Sequence, residues 1–152
     1  MDSKKIQKYS DKNIDQLKGT AQKWFNKFIR LRDTDENGNG FCISSGKPLK
    51  YGHPNCHAGH YYPSTVSELK FNEDNVNLQS KGDNYYKHSN AIEYGKKLVE
   101  KIGQERMDRL RFIADHYKRI SFKWDRVSLI EIIETYKEKC KELAKEKNFK
   151  VK

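Results

Sequence analysis

Apolar residues at Ile14, Leu17, Ala21, Trp24, Phe28 and Leu31 recur every three or four positions, and this rhythm then stops across residues 41–84. That contrast constrains the fold more than any other feature. Spacing of three and four places the apolar side chains on one stripe of a helix, predicted here from Asp11 to Asp33 with Asp11 as its N-cap. The run DENGNG at 35–40 ends that helix in a turn-rich loop. Segment 41–84 carries Gly, Pro, His and Cys with short β-like pieces around Phe41–Ile43 and Val76–Leu78. Irregular segments held on a helical scaffold commonly carry functional groups, so chemistry is expected there.

Three further helices are predicted. One runs from Asn84 to Ile102, with Gly103 as its stop. Another covers Gln104 to Tyr117, and the last starts near Ser128, where Ser128-x-x-Glu131 reads as a capping box. The expected fold class is mixed α+β and mostly helical, one domain over 1–152. Its parts are an N-terminal helix over 11–34, a small β-containing core over 41–102 and C-terminal helices over 104–148. Apolar residues make up 35% and charged residues 34% of the chain, so a small compact centre should sit among highly charged helices.

No apolar run approaches the length of a membrane span, and the polar start MDSKKIQKYSDKN carries no secretory signal. Three cysteines, odd in number and widely spaced, argue against a disulfide framework and fit a reducing cytoplasm. Cys140 lies on an apolar helix stripe and reads as a core thiol. The net charge of +10 is compatible with a polyanionic partner, although 21 acidic residues make charge alone a weak guide.

The chemistry-bearing constellation is HAGHYYPS at 57–64, FNEDNVNLQS at 71–80 and KGDNYYKH at 81–88. Phosphodiester hydrolysis needs a base for water and a cation for charge on the phosphate oxygens. His60 is the candidate base and Asn75 the group that orients it. His57, Asn84 and His88 are candidate ligands, the latter two at i and i+4 on one helix face. Asp83 is a further possible oxygen ligand, though a capping role suits it better. Lys81, Lys87, Lys96 and Lys97 are candidate phosphate contacts, with a solvated helix face the plain alternative for the last two. Tyr62 and Tyr85 could stack on bases, while paired tyrosines can equally pack the hairpin. His53 and His116 read as structural or solvent-facing. One divalent ion is expected: Mg²⁺ or Mn²⁺ suits oxygen ligands, and Zn²⁺ or Ni²⁺ suits imidazole.

This arrangement resembles the HNH (ββα-metal) nucleases. FNKFIRLRD at 25–33, CISSG at 42–46, HAGHY at 57–61, LKFNEDNVNLQS at 69–80 and YGKKLVEKIGQE at 94–105 are similar, in the same order, to the NinG (Rap) recombination proteins of lambdoid phages. The similarity covers about residues 22–145. It implies a metal-dependent endonuclease acting on branched or junction DNA in phage recombination, inside the bacterial host cell. Within that pattern the base falls on His60, the mid-motif asparagine on Asn75, and metal-binding positions on His57 and Asn84. Junction cleavage also suggests a homodimer with paired sites. Relatives carry two C-x-x-C knuckles around a structural zinc. Here those positions read Cys42-Ile-Ser-Ser45 and Ser80-Lys-Gly-Asp83, so no structural zinc is expected and hydrogen bonds or packing must hold the hairpin. A non-catalytic DNA-binding accessory protein is the alternative, and a phage structural or regulatory protein a third reading.

Overall fold

The computed structural model describes residues 2–86, 90–117 and 122–148. A short helix α1 (Ser3–Lys8) precedes α2 (Ile14–Arg32). The cap of α2 is Asn13, not the expected Asp11. Its side chain accepts from Gln16 N–H while the Gln16 side chain accepts from Asn13 N–H, a reciprocal capping box. The buried residues of α2 include Phe25 and Ile29 besides Leu17, Ala21, Phe28 and Leu31, whereas Trp24 is only half-buried. The apolar face is wider than one stripe because two different layers cover it: helix α6 (Arg126–Glu146) and strands β3 (Cys56–His60) and β4 (Val76–Ser80).

Two antiparallel hairpins occupy the middle of the chain. β1 (Asn39–Phe41) pairs with β2 (Pro48–Lys50), and Gly46, at φ 75°, makes the tight turn between them. β3 pairs with β4 in the register Cys56↔Ser80 to His60↔Val76. Ile43 N–H donates to Leu78 O and ties the first hairpin to the second. Helix α3 (Lys81–Tyr86) follows β4 without a break, so β3, β4 and α3 form a strand–strand–helix unit. The helix expected over 84–102 is therefore two elements, α3 and α4 (Ala91–Ile102). Asn90, left-handed at φ 46°, immediately precedes the second and interrupts the helical path. Gly103 ends α4 as expected and α5 spans Gln104–Tyr117. The start of α6 lies upstream of Ser128: Asp125 is the cap, and its carboxylate accepts from Ser128 N–H and Oγ–H. Nearby, Trp124 Nε1–H is anchored on Ser67 O.

Every residue of β4 is buried. Val76 and Ala58 join a core built on α2 and α6, including Phe25, Ile29, Ile130, Ile133 and Tyr136. Leu69, Tyr94, Leu98, Leu110 and Ala114 form a second core between α4 and α5. The polar groups of β4 are answered by side chains from both directions. Arg32 donates to Asp33 Oδ1 at 2.8 Å, to Val76 O at 3.0 Å and to Asn77 Oδ1 at 3.1 Å. Lys101 reaches Asn77 Oδ1 at 2.6 Å and Asp33 Oδ1 at 3.1 Å, and Leu78 N–H donates to Asp33 Oδ2. Burial would raise the Asp33 carboxyl, but the Arg32 bonds and charge, with Lys101 and Leu78 N–H, hold it below its ordinary value. Tyr94, wholly buried, accepts from Asn77 Nδ2 and donates to Gly59 O at 2.7 Å. Asp33→Ala should cost about 3–5 kcal/mol, because two cations and a buried N–H lose their acceptor. The stability Asp33 supplies to the wild type is present above the carboxylate range and lost as pH falls through the lowered value; thermal melts of both proteins against pH read this.

Candidate functional site

Strand alternation divides the two histidines of HAGH. Residues 57 and 60 are three apart, so their side chains leave β3 on opposite faces. Between them Gly59 has no room for a side chain: a Cβ would lie 2.0 Å from Gln79 Oε1 on the neighbouring strand.

His57 faces α3. Its Nε2 lies 3.0 Å from Pro54 O, and a carbonyl can only accept, so the proton sits on Nε2. Nδ1 then presents its lone pair to Asn84 Nδ2, 3.4 Å away. The exposed Tyr85 ring meets the imidazole edge-on, centroids 5.3 Å apart. Burial depresses the basicity of His57 against the opposing bond to Pro54 O, and the positive fields of Arg30 and Lys81 depress it further. An amide binds cations through its oxygen, so for His57 Nδ1 and Asn84 to share a cation the Asn84 side chain would have to present Oδ1 in place of Nδ2. Both side chains line a pocket of about 450 Å³ whose other walls include Asn26, Arg30, His53 and Tyr85. Sequence reasoning passed over Arg30 and Asn26 and read His53 as structural or solvent-facing. The spacing of Asn26 and Arg30, one helical turn apart, was the available signal that both face one direction.

His60 is not among the described residues lining that pocket. Its Nε2–H donates to Lys70 O at 3.0 Å, which again leaves Nδ1 as the acceptor. Burial lowers its basicity against the pull of the Lys70 carbonyl, and the Lys70 charge adds to the depression, so the imidazole is neutral at neutral pH. The hydrogen bonds of the Asn75 side chain do not reach this ring. Wholly buried, Asn75 accepts from Tyr62 N–H at 2.8 Å and donates to Tyr62 O at 3.0 Å and Leu69 O at 3.1 Å. Those contacts pin both ends of the loop that joins His60 to Lys70, so Asn75 positions the imidazole through the backbone rather than directly.

Asp83 stands apart from the pocket. It is buried, and its Oδ2 accepts from Ser44 Oγ–H at 2.7 Å and Asn90 Nδ2–H at 3.1 Å, with Cys42 Sγ at 3.9 Å. A ligand role alongside His57 and Asn84 is thereby corrected: the carboxylate is the hub of a structural network. Lys87 and His88 lie outside the described residues. Lys81 is exposed beside the site, whereas Lys96 pairs with Glu93 and Lys97 with Glu100 on the solvated side of α4. Tyr62 packs edge-on against Tyr61, centroids 5.0 Å apart, beside the second core, which removes it from the base-stacking candidates. His116 stacks on the exposed Phe112, and Cys140 is buried in the α2–α6 core, where burial pushes its thiol up to about 11. Among the described residues no helix is long and apolar enough to cross a membrane, and no three His, Cys, Asp or Glu side chains gather as a metal cluster.

A family model described as the bacteriophage lambda NinG protein matches residues 1–146. The chain belongs to the NinG family. It is 32% identical to protein ninG of Escherichia phage lambda over 124 residues, which is 81% of this chain and 55% of that protein. Protein ninG of Salmonella phage P22 gives the same identity and coverage, and that of Enterobacteria phage H19B is 36% identical over 91 residues, 59% of this chain and 42% of the other. The chain thus spans about half the length of the curated relatives it matches. No solved structure matches it.

The two knuckles that the NinG resemblance aligns with a zinc site do not fit that ion. Of the four positions only Cys42 offers a thiol, Ser45 is exposed at the hairpin turn, and Asp83 is already surrounded by donors. Instead Ser80 N–H donates to Cys42 Sγ, Asp83 N–H to Ser80 Oγ, and Gln79 Nε2 to Ser44 Oγ. Ser44, one place before the knuckle position, supplies the key hydroxyl. Asp83→Ala should destabilise the protein by about 3 kcal/mol, since several buried donors lose their acceptor. EDTA should leave the wild type folded with a single cooperative melt, because no zinc holds the hairpin; calorimetry checks this.

Proposed function

We propose that this NinG-family chain is a metal-dependent DNA endonuclease. The observation that supports it most is the strand–strand–helix unit whose helix brings Asn84 to within 3.4 Å of His57 Nδ1, in a polar pocket shared with Arg30. His57 and Asn84 would hold a divalent cation, Mg²⁺ or Mn²⁺ or else Zn²⁺ or Ni²⁺, that offsets charge on phosphate oxygens; His88, outside the described residues, is the third ligand candidate. His60, although on the other face of β3 from the His57–Asn84 pair, has the protonation state of a general base. It is neutral, its tautomer is set by Lys70 O, and its Nδ1 can accept a proton from water. Asn75 keeps that imidazole in place by holding the loop on either side. The net charge of +10 favours a polyanionic substrate. The family resemblance points to branched or junction DNA met during phage recombination in the host cell, where a homodimer would present paired sites.

The opposite-face placement of His57 and His60 favours a second reading, a DNA-binding recombination accessory protein that does not cut. Nicking of supercoiled plasmid with each divalent metal separates the two. Cleavage is expected with at least one metal; His60→Ala should slow it by about a hundredfold or more, and His57→Ala should raise the metal concentration needed. Binding without cleavage in every metal would leave the accessory reading standing. A base must be neutral, and burial lowers the His60 basicity. The cleavage rate should therefore be level at neutral pH and above, and fall as pH drops through a midpoint below the ordinary imidazole value.

A further inference from the structure

We propose that Arg30 is the phosphate clamp of this pocket, gripping a DNA backbone phosphate next to the His57–Asn84 pair. Arg30 projects from α2 into the pocket lined by His53, His57 and Asn84 and is half-buried there. No carboxylate or other acceptor among the described residues pairs with its guanidinium, while the neighbouring Arg32 is satisfied by Asp33, Val76 O and Asn77. A half-buried arginine without an internal counter-ion is held at a cost that an incoming anion relieves. Its planar fork matches two oxygens of one phosphate.

Other donors face the same space. Asn26 Oδ1 is occupied by Gln22 Nε2–H at 2.7 Å, so the Asn26 amide has its N–H groups to offer. His53 Nδ1 accepts from Asn55 N–H at 3.0 Å, which leaves Nε2–H as a donor on the pocket rim. Lys81 adds a positive field from the start of α3. Among the described residues that line the pocket there is no carboxylate, so a divalent cation there would need its charge balanced from outside the protein. A phosphodiester oxygen supplies that charge and also fills the fork of Arg30. This inference rests on the reading that DNA occupies the pocket; it adds which residue grips the backbone.

The test is binding of a short duplex DNA in EDTA, so that neither metal nor cleavage enters, followed by anisotropy over a range of salt. Arg30→Gln should bind about tenfold more weakly across unrelated sequences, with the slope of log K against log salt reduced by about one. Arg30→Lys should keep the wild-type slope with affinity between the two. Wild-type affinity and slope in Arg30→Gln would overturn the clamp. Should that variant fail to fold by circular dichroism, His53→Ala on the exposed rim decides: about threefold weaker binding supports the clamp, and wild-type binding overturns it. The two readings fail separately. A protein that never cuts but loses slope on Arg30→Gln keeps the clamp and loses the nuclease. One that cuts and binds normally with Arg30→Gln keeps the nuclease and loses the clamp. Absence of wild-type duplex binding overturns the clamp outright.

Discussion

A strand buried on both faces but carrying Asn77, Gln79 and Ser80 dictates much of this structure. Water cannot reach the polar groups of β4, so the protein must answer them, and it meets most of them with side chains from distant elements. Arg32 and Asp33 come from the end of α2, Lys101 from α4 and Ser44 from the first hairpin turn. These bonds hold α2, β4 and α4 in one register. The hairpin then has a defined place between the two apolar cores, and the chemistry-bearing side chains of β3 inherit it.

The two imidazoles of β3 share one tautomer for the same reason. Each Nε2–H is fixed by a backbone carbonyl, Pro54 O for His57 and Lys70 O for His60, and each Nδ1 keeps its lone pair. Their neighbours differ. His57 meets Asn84 in a pocket that also holds an arginine, whereas His60 sits against a loop fastened by Asn75. The positions that the resemblance aligns with a zinc knuckle solve their own version of the burial problem with a buried carboxylate ringed by donors.

Much of the helical frame was legible in the chain. The rhythm of α2, the stop at Gly103 and the bounds of α5 follow from local spacing and from glycine's tolerance of positive φ. The caps were less so. Asn13 and Asp125 cap where Asp11 and Ser128 were expected, because several good capping residues lie close together and the surrounding contacts choose among them. The break between α3 and α4 escaped too, since Asn90 costs little in left-handed backbone when its side chain is bound to Asp83.

The candidate site divides the same way. Local sequence indicated which residues carry chemistry, whereas the placement of His57 and His60 on one strand, and so on opposite faces, came from the structure. Family resemblance also follows from order and spacing alone. Only the tertiary structure decided that His57 has Asn84 for a neighbour, that Asp83 turns into a buried network and that Arg30, separated from His57 by the whole first hairpin, lines the same pocket. Those outcomes depend on how α2, the hairpin and α3 pack, and packing is set by contacts between residues too far apart in the chain for any local pattern to record.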